Sequence, residues 1–185
     1  RRWEVAEAEA AARDPWPTVT FSDELRLHLG AGRSLRLFRT PGHSIDGVSV
    51  LVEDCQVLIA GDCAVTGIVP ALGDGDGRTL EATLHLLAEM EIEVMIPGHG
   101  PVVRGDPVRT WLRSGADYLL GVRRRVRELL LDGRPPQDVP DEVAYEDFVD
   151  PRLPRDRLNM PQRHRASVEK ITEEEQTRLP LDERR

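Results

Sequence analysis

Thr40-Pro41-Gly42-His43-Ser44, Gly61-Asp62-Cys63 and Ile96-Pro97-Gly98-His99-Gly100 are three stretches built on one plan. In each, a run with strand character meets a glycine-flanked turn that carries one good metal ligand. A histidine directly after Pro-Gly sits in a turn that exposes its imidazole and lets the backbone approach a neighbouring loop. An aspartate directly after an apolar strand and a glycine is poised at the strand's end, where sites of α/β proteins form. Imidazole nitrogen and carboxylate oxygen suit zinc, iron or manganese. Two strands fit between His43 and Asp62, and a loop, helix and strand fit between Asp62 and His99. All three turns can therefore return to one edge of a sheet, and His43, Asp62 and His99 are the candidate metal ligands.

Outward from these turns, period-two alternation predicts strands. Leu25, Leu27 and Leu29 alternate with Arg26 and His28, Gly30-Ala31-Gly32 turns the chain, and Leu35 and Leu37 alternate with Arg36 and Phe38. This is the pattern of a hairpin, with residues 18–21 as a further short strand. Residues 48–52 and 57–60 are almost wholly apolar around a tight turn at 53–56, which predicts strands covered on both faces or a sheet layered on another. A helix is expected from about Thr79, with Leu80, Leu84 and Leu87 inward and Glu81, His85 and Glu89 in water. Residues 93–96 read as a strand. A long helix over about 107–131 carries Val108, Trp111, Leu112, Leu119, Val122, Val126 and Leu129 on one face.

The two ends differ in character. Residues 1–13 are strong helix formers with no N-cap, as if the chain began mid-helix, and Asp14-Pro15-Trp16-Pro17 breaks the run. Seven of the 14 prolines follow residue 133. Residues 1–133 are accordingly expected to form the domain and 134–185 an extended arm plus a charged surface helix over 162–178, anchored by Val168 and Ile171.

Composition narrows the function. The chain has 185 residues, 39% apolar and 31% charged, as expected of a soluble globular domain. A net charge of -8 argues against a nucleic-acid or anionic-membrane surface. The run Arg123-Arg124-Arg125 reads as a solvated helix face. Cys55 and Cys63 flank one strand and form no disulfide framework, which makes a reducing cytoplasmic setting the default. No run of 18 apolar residues is present, so no transmembrane helix is expected. His28, His85 and His164 read as surface residues, Cys63 as a small buried side chain, Asp74 and Asp76 as turn formers rather than a calcium loop. Ser44 has no adjacent base and is not read as a nucleophile.

The order Thr-Pro-Gly-His-Ser, apolar strand and Gly-Asp, then Ile-Pro-Gly-His-Gly-Pro resembles the metallo-β-lactamase fold superfamily over about residues 1–131. The resemblance implies an αββα sandwich, here its C-terminal portion, with metals at one edge. It implies that His43 binds one metal, His99 a second, and Asp62 bridges them, the metals being zinc, with iron or manganese as alternatives. Aspartate at that place is similar to the glyoxalase-like and lactonase-like hydrolases, in which metal-bound hydroxide attacks an ester, thioester or lactone. The superfamily's first motif, His-x-His-x-Asp-His, lies before the region matched, and this chain contains no His-x-His. His43, Asp62 and His99 alone give each of two metals two protein ligands, one of them shared, where a site usually takes three or four. The expectation is therefore a chain that lacks the N-terminal half of the sandwich, supplies part of a site for a small-molecule substrate, and is inactive alone. Its partner is either a complementing N-terminal half or a second copy. Two other readings stand beside this: a mononuclear iron persulfide dioxygenase, and a non-catalytic half-domain that works through an exposed apolar face.

Overall fold

A computed structural model of the chain describes residues 17–72, 74–150, 153 and 159–179. The helix expected over residues 1–13 lies outside the described residues. Among the described residues the sheet has six strands in sequential order: β1 (Glu24–Gly30), β2 (Arg33–Arg39), β3 (Val48–Val52), β4 (Val57–Val65), β5 (Val94–His99) and β6 (Val103–Arg104). The hairpin forms as its alternation predicts, with Leu25 opposite Leu37 and Leu27 opposite Leu35. Residues 18–21 do not join the sheet. Among the described residues β1 is an edge strand paired only with β2, so no ladder receives their backbone, and alternation makes a strand only where one does.

Four of the five strand pairings are antiparallel, and β4 and β5 run parallel across the crossover helix α1 (Gly77–Ala88). Here β4 departs from expectation. It continues through Asp62 to Val65, because β5 supplies partners as far as Val65 opposite His99, with register shifts on either side of Gly61. Asp62 therefore lies within an irregular stretch of strand rather than at its end. The slip in register frees it from regular alternation.

The two faces of the sheet differ. Phe38, Ser49, Leu51, Leu58, Ala60 and Met95 share the inner face and are buried. They meet Leu80, Leu84 and Leu87 of α1, and Val108, Leu112, Leu119, Val122, Val126 and Leu129 of α2 (Pro107–Leu131). The outer face carries Leu27, Leu29, Val48, Ile59 and Ile96, each at least 38% exposed, with half-buried Leu35, Leu37, Val50 and Val52 between them. Strands β3 and β4 are thus covered on one face only among the described residues.

On α1, His85 and Glu89 face water as expected, but Glu81 does not. Its carboxylate takes a 2.5 Å hydrogen bond from Arg123, both side chains less than one-fifth exposed, so Arg123 bridges the two helices instead of sharing a solvated face with Arg124.

The C-terminal arm, whose sequence leaves open whether it packs on the domain or reaches a partner, packs on it. The arm contains two single-turn helices, α3 (Val139–Glu142) and α4 (Tyr145–Phe148), and buries Val139, Val143, Tyr145 and Val149. The last helix, α5 (Met160–Arg178), buries not only Val168 and Ile171 but also Met160, His164, Ser167, Thr172 and Glu175. Its periodicity is hidden because polar residues occupy inward positions and find partners there. His164, expected at the surface, is among them. Its Nε2–H donates to the Val143 carbonyl at 2.9 Å and its Nδ1 accepts from the Tyr118 hydroxyl at 3.0 Å. Phe148 stacks on the ring and Tyr118 and Tyr145 meet it edge-on. Burial holds the imidazole below its ordinary pKa and raises that of Tyr118.

Candidate metal centre

The β2–β3 loop carries His43 and is closed at its base by the Thr40 amide donating to the Gly47 carbonyl at 2.8 Å. Gly42 has a φ of 130°, and a Cβ there would lie 2.3 Å from the Leu80 Cα, so only glycine lets this loop rest on the first turns of α1. Three further bonds sew the loop to that region: Thr83 Oγ1 donates to the Pro41 carbonyl at 2.6 Å, the Asp76 amide to the Gly42 carbonyl at 2.9 Å, and His43 Nδ1 to the Ala71 carbonyl at 2.6 Å. A carbonyl only accepts, so Nδ1 carries the proton, and in the neutral ring the lone pair is at Nε2.

That Nε2 lies 3.7 Å from Asp62 Oδ2, and Asp62 Oδ1 lies 3.5 Å from His99 Nε2. One carboxylate thus turns an oxygen to each imidazole. The glycine of the second Pro-Gly-His makes this approach feasible, since a Cβ on Gly98 would fall 2.0 Å from Asp62 Oδ1. His99 ends β5, and its carbonyl accepts from the Thr66 amide at 2.9 Å, which ties the end of β5 to the chain leaving β4. All three side chains remain 30–49% exposed.

His43 and Asp62 themselves line a hollow of about 230 Å³ together with Thr40, Ser44, Gly47, Val48, Ala60 and Cys63. Thr40 and Ser49 are 2.8 Å apart, Ser49 donates to the Ala60 carbonyl at 2.9 Å, and the Cys63 thiol donates to the same carbonyl at 3.0 Å. Burial pushes the Cys63 thiol up, so it stays protonated and serves as packing, as its place in the sequence suggests. Ser44 donates to Asp46 in an exposed local turn. Asp76 caps α1 by accepting from the Thr79 amide at 2.8 Å. Burial works against its charge, but the Thr79 amide and Arg178 outweigh it and hold the carboxyl below its ordinary pKa.

The structure brings His43, Asp62 and His99 to one place. Two imidazole nitrogens and a carboxylate are the donor chemistry of a zinc, iron or manganese site. Among the described residues, though, no group of three or more His, Cys, Asp or Glu side chains is arranged to hold a metal ion. The donors fit in kind and fall short in number. Sequence reasoning missed the Ala71 carbonyl, and no side-chain motif signals a backbone acceptor 28 residues away.

The sequence model of the metallo-beta-lactamase superfamily matches residues 2–99, which include His43, Asp62 and His99. The chain belongs to the metallo-beta-lactamase superfamily. A beta-lactamase-like protein 2 homolog of Caenorhabditis elegans is 30% identical over 106 residues, 54% of this chain and 31% of the relative. The thioesterase pkgB of Emericella nidulans is 35% identical over 81 residues, 41% of this chain and 22% of the relative. The chain thus spans less than a third of either relative. Among solved structures, a metallo-beta-lactamase family protein of Thermus thermophilus matches with a TM-score of 0.62 at 22% identity, covering 89% of this chain and 50% of that one. A sec-alkylsulfatase of Pseudomonas sp. matches with a TM-score of 0.62 at 18% identity, covering 86% of this chain and 26% of that one. These likenesses show the fold: a mixed α/β fold, with a six-stranded sheet and five helices among the described residues.

Proposed function

We propose that this superfamily member supplies His43, Asp62 and His99 to a metal-dependent hydrolase site acting on a small ester, thioester or lactone. The observation that carries the reading is Asp62, whose two oxygens face the Nε2 atoms of His43 and His99. Asp62 and His43 would hold one metal, and Asp62 and His99 the other. Zinc is the metal favoured by this donor set, two ions in the complete site, with iron or manganese as the alternatives. When bound, such a metal polarises a substrate oxygen and acidifies water near neutral pH. The chain's own part is to hold the donors: Ala71 fixes the His43 tautomer, and Gly98 leaves room for the shared carboxylate. The similarity to a thioesterase supports the substrate class.

The outer sheet face bears on the remaining donors. Its row of exposed Leu, Val and Ile is the surface on which the second sheet of a sandwich would sit, and we assign it to the complementing half. That half would also bring the further ligands. With two free cysteines, one exposed and one buried, the chain suits the cytoplasm. Among the described residues no helix is long and apolar enough to cross a membrane.

The reading is tested by metal analysis of the protein with its complementing half, together with hydrolysis of ester, thioester and lactone panels. At least one metal per chain and turnover that Asp62→Ala abolishes are expected. Less than one metal per chain and no turnover would instead favour a non-catalytic half-domain, the alternative to which the exposed apolar face also lends itself.

A further inference from the structure

The segment that fixes His43 is itself held by the last helix. His43 is bonded to the Ala71 carbonyl and its loop to the Asp76 amide, and the segment between those residues touches α5 at both of its ends. At its start, the Val69 amide donates to Met160 Sδ at 3.3 Å, and Ser167 Oγ donates to the Pro70 carbonyl at 3.3 Å. Pro70 directly precedes Ala71. At its end, the Gly77 amide donates to both carboxylate oxygens of Glu174 at 3.0 Å, and Arg178 pairs with Asp76. Gly77 is the first residue of α1, so Glu174 places a carboxylate where a helix leaves its amides unpaired and its dipole is positive. Next to it, Arg78 reaches the wholly buried Glu175 at 2.7 Å.

From this chain of contacts we propose that Ser167 and Glu174 are positioning residues for His43. They act from α5 through Pro70–Ala71 and through Asp76–Gly77, and they set the ring so that Nδ1 holds the proton and Nε2 faces Asp62. Among the described residues His99 has no such link to α5, for its backbone is tied to Thr66 just beyond β4. Loosening α5 therefore disturbs one imidazole of the pair and spares the other. The inference rests on the metal-site reading only for its consequence; the ring geometry stands without it.

Nitrogen-15 NMR of the histidine rings tests it directly, recorded on the whole chain without metal and at a pH where the rings are neutral. In the wild type His43 should be held in the Nδ1–H form. Ser167→Ala and Glu174→Ala should each shift His43 towards a mixture of tautomers and leave His99 unchanged. Glu174→Gln keeps an acceptor for the Gly77 amide and should restore most of the wild-type pattern. Zn²⁺ titration by calorimetry, with the complementing half present, should then show affinity falling roughly five- to tenfold in the two alanine variants, less than the roughly 10–100-fold of a lost outer-shell partner because the Ala71 carbonyl itself remains, and recovering in Glu174→Gln. Unchanged His43 signals in the alanine variants, or equal changes at His43 and His99, would overturn the proposal. If the wild type binds no Zn²⁺ while the ring signals shift as stated, positioning holds and it is the metal-site reading that fails.

Discussion

The inner and outer faces of the sheet are made of the same kinds of residue and have different fates. Leu58 and Met95 on the inner face are wholly buried under α1 and α2, while Ile59 and Ile96, each one residue further along the same strands, are 43% and 38% exposed. Hydrophobicity alone does not distinguish them. What differs is the presence of a helical layer whose own apolar stripes match one face, so among the described residues the sheet is packed on one side. The difference teaches that burial here follows the position of the helices, not the hydrophobicity of the strand residues.

Stability measurements can break that comparison. Leu58→Ala should cost about 2–5 kcal/mol, as for other wholly buried leucines, read from the urea midpoint. Ile59→Ala should cost roughly 1 kcal/mol or less, because much of its side chain is in water already. Equal costs would mean that the outer face is covered in solution, for example by a second copy. Next in size is Glu175→Ala, which removes the buried carboxylate that joins α5 to Arg78 and Arg127. A loss of about 3 kcal/mol is expected, at the low end for a buried pair because both arginines are 40% exposed.

A smaller effect should appear with pH. Burial keeps His164 neutral, so its pKa in the folded chain lies below the ordinary value of about 6.5 that it regains on unfolding. The unfolded chain then binds the proton first as pH falls. His164 therefore leaves stability intact above about pH 6.5 and erodes it below, until the folded-state value is reached. Urea midpoints taken from about pH 7.5 to about pH 5 should fall, and His164→Phe should flatten that slope. A slope identical in both proteins would place the ring in water.

The order of elements and the three loop-end residues could be read from the chain because each leaves a local signature. Alternating leucines mark the β1–β2 hairpin, and Pro-Gly-His marks a turn with an exposed ring. Two kinds of feature could not be read. The extension of β4 through Asp62 depends on a partner strand more than 30 residues later, which no local pattern encodes. The burial of α5 depends on polar residues paired with distant groups, such as Ser167 with Pro70 and Glu174 with Gly77, so its inward face looks like a solvated one. His164 reads as a surface residue for the same reason: between two arginines in sequence, it is enclosed by three aromatic rings in space.

The central claim is that the shared Asp62 carboxylate makes His43 and His99 one metal-binding unit. Equilibrium dialysis against Zn²⁺ of the chain with its complementing half, beside the same pair carrying Asp62→Ala, tests it most directly. The account predicts that the wild-type pair takes up zinc and that Asp62→Ala weakens uptake at least tenfold while the circular dichroism spectrum is unchanged. Equal uptake by the two folded pairs would contradict it.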